Sequence, residues 1–307
     1  MDIISYNPLY LAAPVLLFFV VIEILYTKIK GYKKIYYWKD LFTSTIMSIS
    51  VVTLQPVLKL ISSAAIFYFL FDYFNPEVDE IYNNIFGYES FSWSWNIWIL
   101  CLLGTQLSQY WCHRLNHTIR VLWAAHLVHH SSNHFNFGTA LRLSWIAMIY
   151  KPIFYVWLPI VGFHPEMVIF CMAIENVYQF LLHSAYCPKL KYVNLVFVTP
   201  KLHQVHHAKN LKYLDKNHGA IFSFYDRVFG TYQDYDENID IEYGITSKIN
   251  SLNPISITTH EFKRIFQDLQ KSKCLRNSFM YVFGPPGWSP DNSTLTVRQM
   301  QQEVISV

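Results

Sequence analysis

Charge is scarce in this chain: Asp, Glu, Lys and Arg make up 15 % of its 307 residues, where an ordinary soluble domain carries about 25 %. That scarcity argues against a water-surrounded globule. The formal balance of +3 is too small for the basic footprint of nucleic-acid binding. The five cysteines, at 101, 112, 171, 187 and 274, form no CxxC pair, which excludes a small disulfide framework and leaves reduced thiols as the expectation. No basic stretch precedes the first apolar run and no small-residue cleavage site follows it. That run is therefore expected to stay as a signal anchor. No repeat or low-complexity tract breaks the pattern.

What the chain has instead is apolar and aromatic. It is 52 % hydrophobic and 18 % aromatic, with a mean hydropathy of +0.18, a composition suited to interfacial belts and a lipid-lined interior. A membrane-spanning helix needs about 20 apolar residues, and that length predicts spans over about 8–26, 44–72, 93–111, 143–163 and 167–186. Lys28, Lys30, Lys33 and Lys34 follow the first span, whereas the loop 75–92 carries Glu77, Asp79, Glu80 and Glu89 without Lys or Arg. By the positive-inside bias the first loop is cytoplasmic and the second lumenal, so 41–74 crosses once, kinked at Gln55-Pro56. The fold expected is an all-α integral membrane protein, one domain over 1–307, with a polar cytosolic tail from 226 to 307.

Eight histidines fall in three short windows: His113 and His117; His126, His129 and His130; His203, His206 and His207. On a helix a three-residue gap sets two imidazoles on one face, and each adjacent pair adds a third at i+3. A lone histidine beside an apolar helix is usually a satisfied structural residue, but scattered composition does not produce three such windows. Unligated, so many imidazoles at a membrane would each need a hydrogen-bond partner. Eight neutral nitrogens suffice for two metal ions with open positions, the equipment for dioxygen chemistry at iron. Two crossings separate the second window from the third, so crossing parity puts all three on one membrane face.

These windows resemble the histidine boxes of the fatty acid hydroxylase/sterol desaturase superfamily. Flanking strings narrow the likeness to its alkylglycerol monooxygenase branch: 129–142, Thr199 to His207, Asp215 to Gly219, Tyr225 to Tyr232 and Gly284 to Pro290. The resemblance covers roughly 11–290. It implies a di-iron monooxygenase of the endoplasmic reticulum membrane, with two Fe per chain, dioxygen and tetrahydrobiopterin. Its substrate would be the carbon beside the ether oxygen of an alkylglycerol lipid, and its products a fatty aldehyde and a glycerol derivative. The superfamily also offers a sterol or fatty acyl substrate with electrons from cytochrome b5, and a metal-binding relative impaired in catalysis. Homo-oligomerisation is left open. A metal transporter would line the middle of its spans with ligands, and these boxes follow span ends.

The likeness has gaps. Acids of the branch pattern are replaced by Gln106, Thr118, Asn133 and Ala185, and His218 stands where Tyr is usual. Since carboxylates on ligating imidazoles are worth about 10–100-fold in affinity or activity, those positions bear directly on turnover. His183 and His218 are candidates for further metal ligands. Glu175, an ionisable group inside the fifth span, is a candidate proton relay or a hydrogen-bonded structural acid. Arg114 and Arg142 are candidates for orienting a lipid head group or a pterin, with interfacial snorkelling as the plainer reading. His134 reads as a surface residue or a neighbour of the ligands, and His164 and His260 as structural.

Overall fold

The computed structural model describes residues 8–32, 34–54, 63–78, 81–247 and 249–305, and these are mostly helical. The long elements are α1 (Pro8–Ile29), α2 (Trp38–Leu54), α3 (Ser63–Phe74), α4 (Trp95–Thr118) and α5 (Arg120–His130). Three short helices, α6 (Phe137–Ala140), α7 (Ala147–Tyr150) and α8 (Trp157–Ile160), lead to α9 (Pro165–Leu181). Beyond it come α10 (Pro200–His206), α11 (Phe224–Val228), α12 (Pro254–Lys271), α13 (Leu275–Phe283) and α14 (Val297–Ile305). A two-stranded antiparallel hairpin, β1 (Glu77–Val78) and β2 (Ile81–Tyr82), follows α3.

Helix α9 is the central post of the bundle, flanked by α1, α3 and α4. It starts where Pro165 fixes the first turn and Glu166 faces the positive end of the dipole. Below the histidines, Phe67, Cys101, Tyr155, Leu158, Met167, Val168 and Cys171 form a buried core shared by α3, α4, α8 and α9. Helices α4 and α8 approach closely because position 104 is glycine: a Cβ there would stand 2.6 Å from Leu158 Cδ2. The end away from the boxes is closed by Asn75, which donates to the carbonyls of Phe71 (2.9 Å) and Pro159 (2.8 Å). His164 packs there against Phe71 and Trp93, the structural role expected of it.

Among the described residues one helix segment, Ala12–Ile29, is long and apolar enough to cross a membrane. The other expected spans take varied forms. The stretch 44–72 falls on α2 and α3, with 55–62 outside the described residues. The stretch 143–163 is a correction to the expected single helix: α7, a 3-10 turn over Lys151–Tyr155 and α8 follow one another. Pro152 and Pro159 each lack the amide hydrogen that a continuous helix would use, so the chain breaks into short turns. Helix α4 has 24 residues, about 36 Å at 1.5 Å per residue, but carries buried Gln106, Ser108 and Gln109 in its middle.

At Ile119 the backbone is extended (φ −114°, ψ 119°), so α4 stops and α5 starts at once in a new direction. The Arg120 amide, without a partner inside α5, donates to Gly284 O at 2.9 Å. The buried Arg120 side chain meets Glu261 (2.8 Å) and Asp268 (2.7 Å) of α12. The corner that turns the chain from the bundle into the histidine layer is thereby tied to the C-terminal cap.

Candidate metal centre

Four elements converge on the histidine layer. The last turns of α4 present His113 and His117, α5 presents His126, His129 and His130, His183 follows α9, and α10 with its C-cap presents His203, His206 and His207. The structure sorts these nine into two groups whose ligand atoms lie within 4.8 Å of one another: His113, His117, His126, His130 and His206, then His129, His183, His203 and His207. Helical geometry explains the sorting. In the second box the i, i+4 pair His126 and His130 joins the first group, while His129 looks to the second. In the third box the pair His203 and His207 joins the second group, while His206 looks to the first. Each adjacent pair thus straddles the two groups, about 100° apart on its helix.

Hydrogen bonds at the back of the rings fix which nitrogen faces inward. His113 Nδ1 is 2.9 Å from His218 O, His206 Nδ1 is 2.8 Å from Lys216 O, and His183 Nδ1 is 2.8 Å from Gln179 O. A carbonyl only accepts, so each Nδ1 carries the hydrogen and each Nε2 is left with its lone pair. His117 Nδ1 also lies 3.4 Å from the Asp215 carboxylate. The inward nitrogens stand close: His183 Nε2 is 3.1 Å from those of both His129 and His203. In the other group His130 Nε2 is 3.2 Å from those of both His126 and His206. At that spacing two facing lone pairs repel unless a cation or a shared proton lies between them. Nitrogens about 2.1 Å from a shared ion lie roughly 3.0 Å apart at a right angle and 3.4 Å apart in a tetrahedron, a range that brackets the observed separations. His117 Nε2 and His207 Nε2 are buried with no hydrogen-bond partner, which a metal would supply. The donor set fits two metal ions.

Burial holds the His113 imidazolium down at about 3, with His117 adding to the shift. It also pushes His126, His130, His206 and His207 well below the ordinary imidazole range, neighbouring imidazoles adding to the effect. All are neutral at physiological pH, the form that ligates. In the unfolded chain the same groups take up protons near pH 6.5, so the unfolded state binds more protons and stability falls with pH. Chelator-treated protein is therefore expected to lose urea resistance progressively below about pH 6.5. An unchanged urea midpoint between pH 7 and pH 5 would contradict a cluster of buried neutral imidazoles.

The other candidate residues are placed as follows. His183 joins the second group. His218 packs beside His113 and His117 but belongs to neither group; its amide is held by Asp226 and its carbonyl serves His113. Glu175 is fully buried and lies outside both groups. Gln106 Nε2 (3.1 Å), Tyr155 OH (3.1 Å), Gln179 Nε2 (3.2 Å) and Lys151 Nζ (3.4 Å) all reach its carboxylate. Through Gln179, whose carbonyl accepts from His183, that acid is joined to the second group.

Arg142 is a correction. It does not face a ligand: its side chain is fully buried and pairs with Asp40 Oδ1 at 2.6 Å, with Ser44 Oγ and Ser131 Oγ completing the contacts. Arg114 is likewise used internally, over the Trp111 ring and against Tyr110 OH and Phe229 O. Asp40→Ala would leave a buried guanidinium unpaired and is expected to cost about 3 kcal/mol of stability. Equal denaturation midpoints for the variant and the parent would rule that out.

Sequence reasoning gave no role in the site to Asp215, Asp226, Trp123 or Phe135. Trp123 packs on His117 and His130, and Phe135 stacks on His183 at 5.5 Å and 18°. A cleft of 520 Å³ opens onto the first group, with His117, His130 and His206 at its floor beside Trp123, and Tyr281 and Trp288 in its wall. None of the second group lines it.

Residues 98–231 match the family model described as fatty acid hydroxylase. Over 222 residues the chain is 33 % identical to the alkylglycerol monooxygenase of Homo sapiens, a match covering 71 % of this chain and 49 % of that protein. The proteins of the same name from Danio rerio and Xenopus tropicalis are 32 % and 31 % identical over 204 and 198 residues. Those matches cover 66 % and 64 % of this chain and 44 % of each relative. The chain spans about half the length of the curated relatives it matches. No solved structure matches it.

Proposed function

We propose, from the match of residues 98–231 to the fatty acid hydroxylase family model, that this chain is a membrane-embedded di-iron monooxygenase of ether lipids. The observation that carries the reading is the pair of histidine groups with inward nitrogens 3.1–3.2 Å apart. In this reading His113, His117, His126, His130 and His206 hold one iron, and His129, His183, His203 and His207 hold the other. The relatives named alkylglycerol monooxygenase favour an alkylglycerol as substrate, and tetrahydrobiopterin is the two-electron donor that the histidine-box resemblance implies. The reaction adds one oxygen atom of O2 to the carbon beside the ether oxygen, and the other leaves as water with the pterin's two electrons. The hemiacetal formed breaks its C–O bond to give a fatty aldehyde and a glycerol derivative.

When bound, iron supplies the activation of dioxygen that side chains alone do not. The protein's part is orientation and exclusion. The carbonyls of Gln179, Lys216 and His218 set the tautomer and angle of three imidazoles. Phe135 packs on His183 and Trp123 on His117 and His130, which holds these rings in place. Multi-pass insertion in the endoplasmic reticulum membrane, with the histidines on the cytosolic face, accords with the apolar helix α1 and the lysines after it. It also accords with the exposed Leu17, Phe18, Phe69 and Trp95 on the bundle.

The test is turnover of iron-loaded, full-length protein in nanodiscs with a 1-O-alkylglycerol, air and tetrahydrobiopterin. Pterin-dependent release of fatty aldehyde is expected. Sterol or fatty acyl oxidation driven by NADH and cytochrome b5, without ether cleavage, would replace this reading by the other.

A further inference from the structure

Helix α13 has an outer face that no described residue covers. None of its nine residues is fully buried. Leu275, Phe279 and Phe283, spaced at i, i+4 and i+8, are 90 %, 61 % and 51 % exposed, and the two rings touch at 5.0 Å. At 100° per residue these three fall within one 80° arc. Tyr281 lies on the other side and lines the cleft above the first histidine group. One apolar residue on a surface needs no explanation; an aligned row of three large ones on one helix face does.

Two further observations select what covers the row. Lys271, Lys273 and Arg276 crowd its start, all exposed, and among the described residues no ion pair joins them to an acid. The acids nearby, Glu261 and Asp268, are taken by Arg120. The row is also continuous with the bundle: Gly284, directly after Phe283, accepts from the Arg120 amide where α4 turns into α5. At the other end of the same helical pair, Thr43 of α2 donates to Leu252 O just before α12. Leu252 and Ile255 are exposed there beside the exposed α2 residues Phe42 and Ile46. Basic residues flanking an apolar row, at the level where the bundle meets its cap, match a helix lying in a membrane interface.

We propose that α13 is an interfacial helix, seated in the head-group layer of an anionic bilayer by Leu275, Phe279 and Phe283 and held there by Lys271, Lys273 and Arg276. This rests on the membrane-embedded reading above. Its consequence is local: the helix that touches lipid with one face walls the cleft with the other, so the lipid surface borders the approach to the first histidine group.

Full-length protein with Cys187→Ser and Cys274→Ser, carrying Phe279→Cys or Phe283→Cys, would be labelled with an environment-sensitive fluorophore. Nanodiscs would contain phosphatidylcholine and phosphatidylserine, with brominated lipid and aqueous iodide as quenchers. A Leu17→Cys label on α1, at a 63 % exposed position in the apolar helix, reports the bundle itself. Loss of fluorescence to brominated lipid at 279 and 283, with iodide excluded, is the expected result. Replacing Lys271, Lys273 and Arg276 by glutamine should shift both labels toward iodide. Iodide quenching at 279 and 283 while position 17 stays lipid-quenched would overturn the proposal and spare the membrane reading. Protection from both quenchers would mean a protein covers the row and would overturn it too. Iodide quenching at position 17 would remove the membrane reading on which the proposal stands.

Discussion

Replacing His206 with alanine should remove one metal ion from the protein, and replacing its neighbour His207 should remove the other. The two residues are adjacent in sequence but point 100° apart around the end of α10, His206 into the group with His130 and His126 and His207 into the group with His129, His183 and His203. His206 Nε2 is 3.2 Å from His130 Nε2, and its ring is fixed from behind by Lys216 O, so no other side chain replaces it. Metal content by mass spectrometry on iron-replete protein should fall from two ions per chain to one in either variant. Turnover should fall by more than the roughly 100-fold that loss of an outer-shell partner brings. Because the stacked rings of His130 and His207 lie 4.3 Å apart, the ion that remains should change its spectrum without leaving. Two ions retained by either variant would show that the sorting of the adjacent pairs is wrong.

That sorting shows where sequence reasoning succeeds and where it stops. The i, i+4 spacing of His113 with His117, His126 with His130 and His203 with His207 is a property of helical geometry. The structure brings the three boxes together, although 143–163, one of the two crossings on which the parity expectation depends, is broken into short turns. Which member of an adjacent pair serves which group depends on the angle between α5 and α10, a tertiary quantity. The backs of the rings were illegible for a plainer reason: Lys216, His218 and Gln179 act through their carbonyls, which every residue has.

The acids at issue in the sequence have a similar explanation. Gln106 occupies one position where the related pattern has a carboxylate, and in the structure its amide reaches Glu175 of α9 at 3.1 Å. Ala185 occupies another, and its amide donates to Glu23 of α1 at 2.8 Å. At both places a carboxylate from a different helix lies against the position, a neighbour that no local motif records. The break of 143–163 into short turns was more accessible, since Pro152 and Pro159 both stand in it. Prolines alone do not decide the matter, because they are also tolerated in spanning helices.

Asp226→Ala should be the most damaging single change away from the histidines, costing about 5 kcal/mol from three lost charge-assisted bonds. The buried carboxylate accepts from the amides of His218 (2.7 Å) and Gly219 (2.9 Å) and from Thr231 Oγ1 (2.7 Å). Burial pushes this carboxyl up, and those three donors offset part of the push. They hold a loop that does not hold itself: Asp215 and Asn217 both sit in the left-handed region, at φ 57° and 56°, a strain of order 1 kcal/mol each. The neighbouring position must be glycine, since a Cβ on Gly219 would lie 2.8 Å from Asp226 Oδ2. From this loop the carbonyls of Lys216 and His218 orient His206 and His113, so releasing it loosens two imidazoles of the first group and none of the second. Metal affinity at the first group should fall about 10–100-fold, while the second group keeps its ion. Asp226→Asn, which retains one accepting oxygen, should recover part of the stability. Dialysis against a graded chelator, read together with thermal midpoints, separates the two effects. Equal loss from both groups would mean that Asp226 acts on global stability alone and does not position the first group.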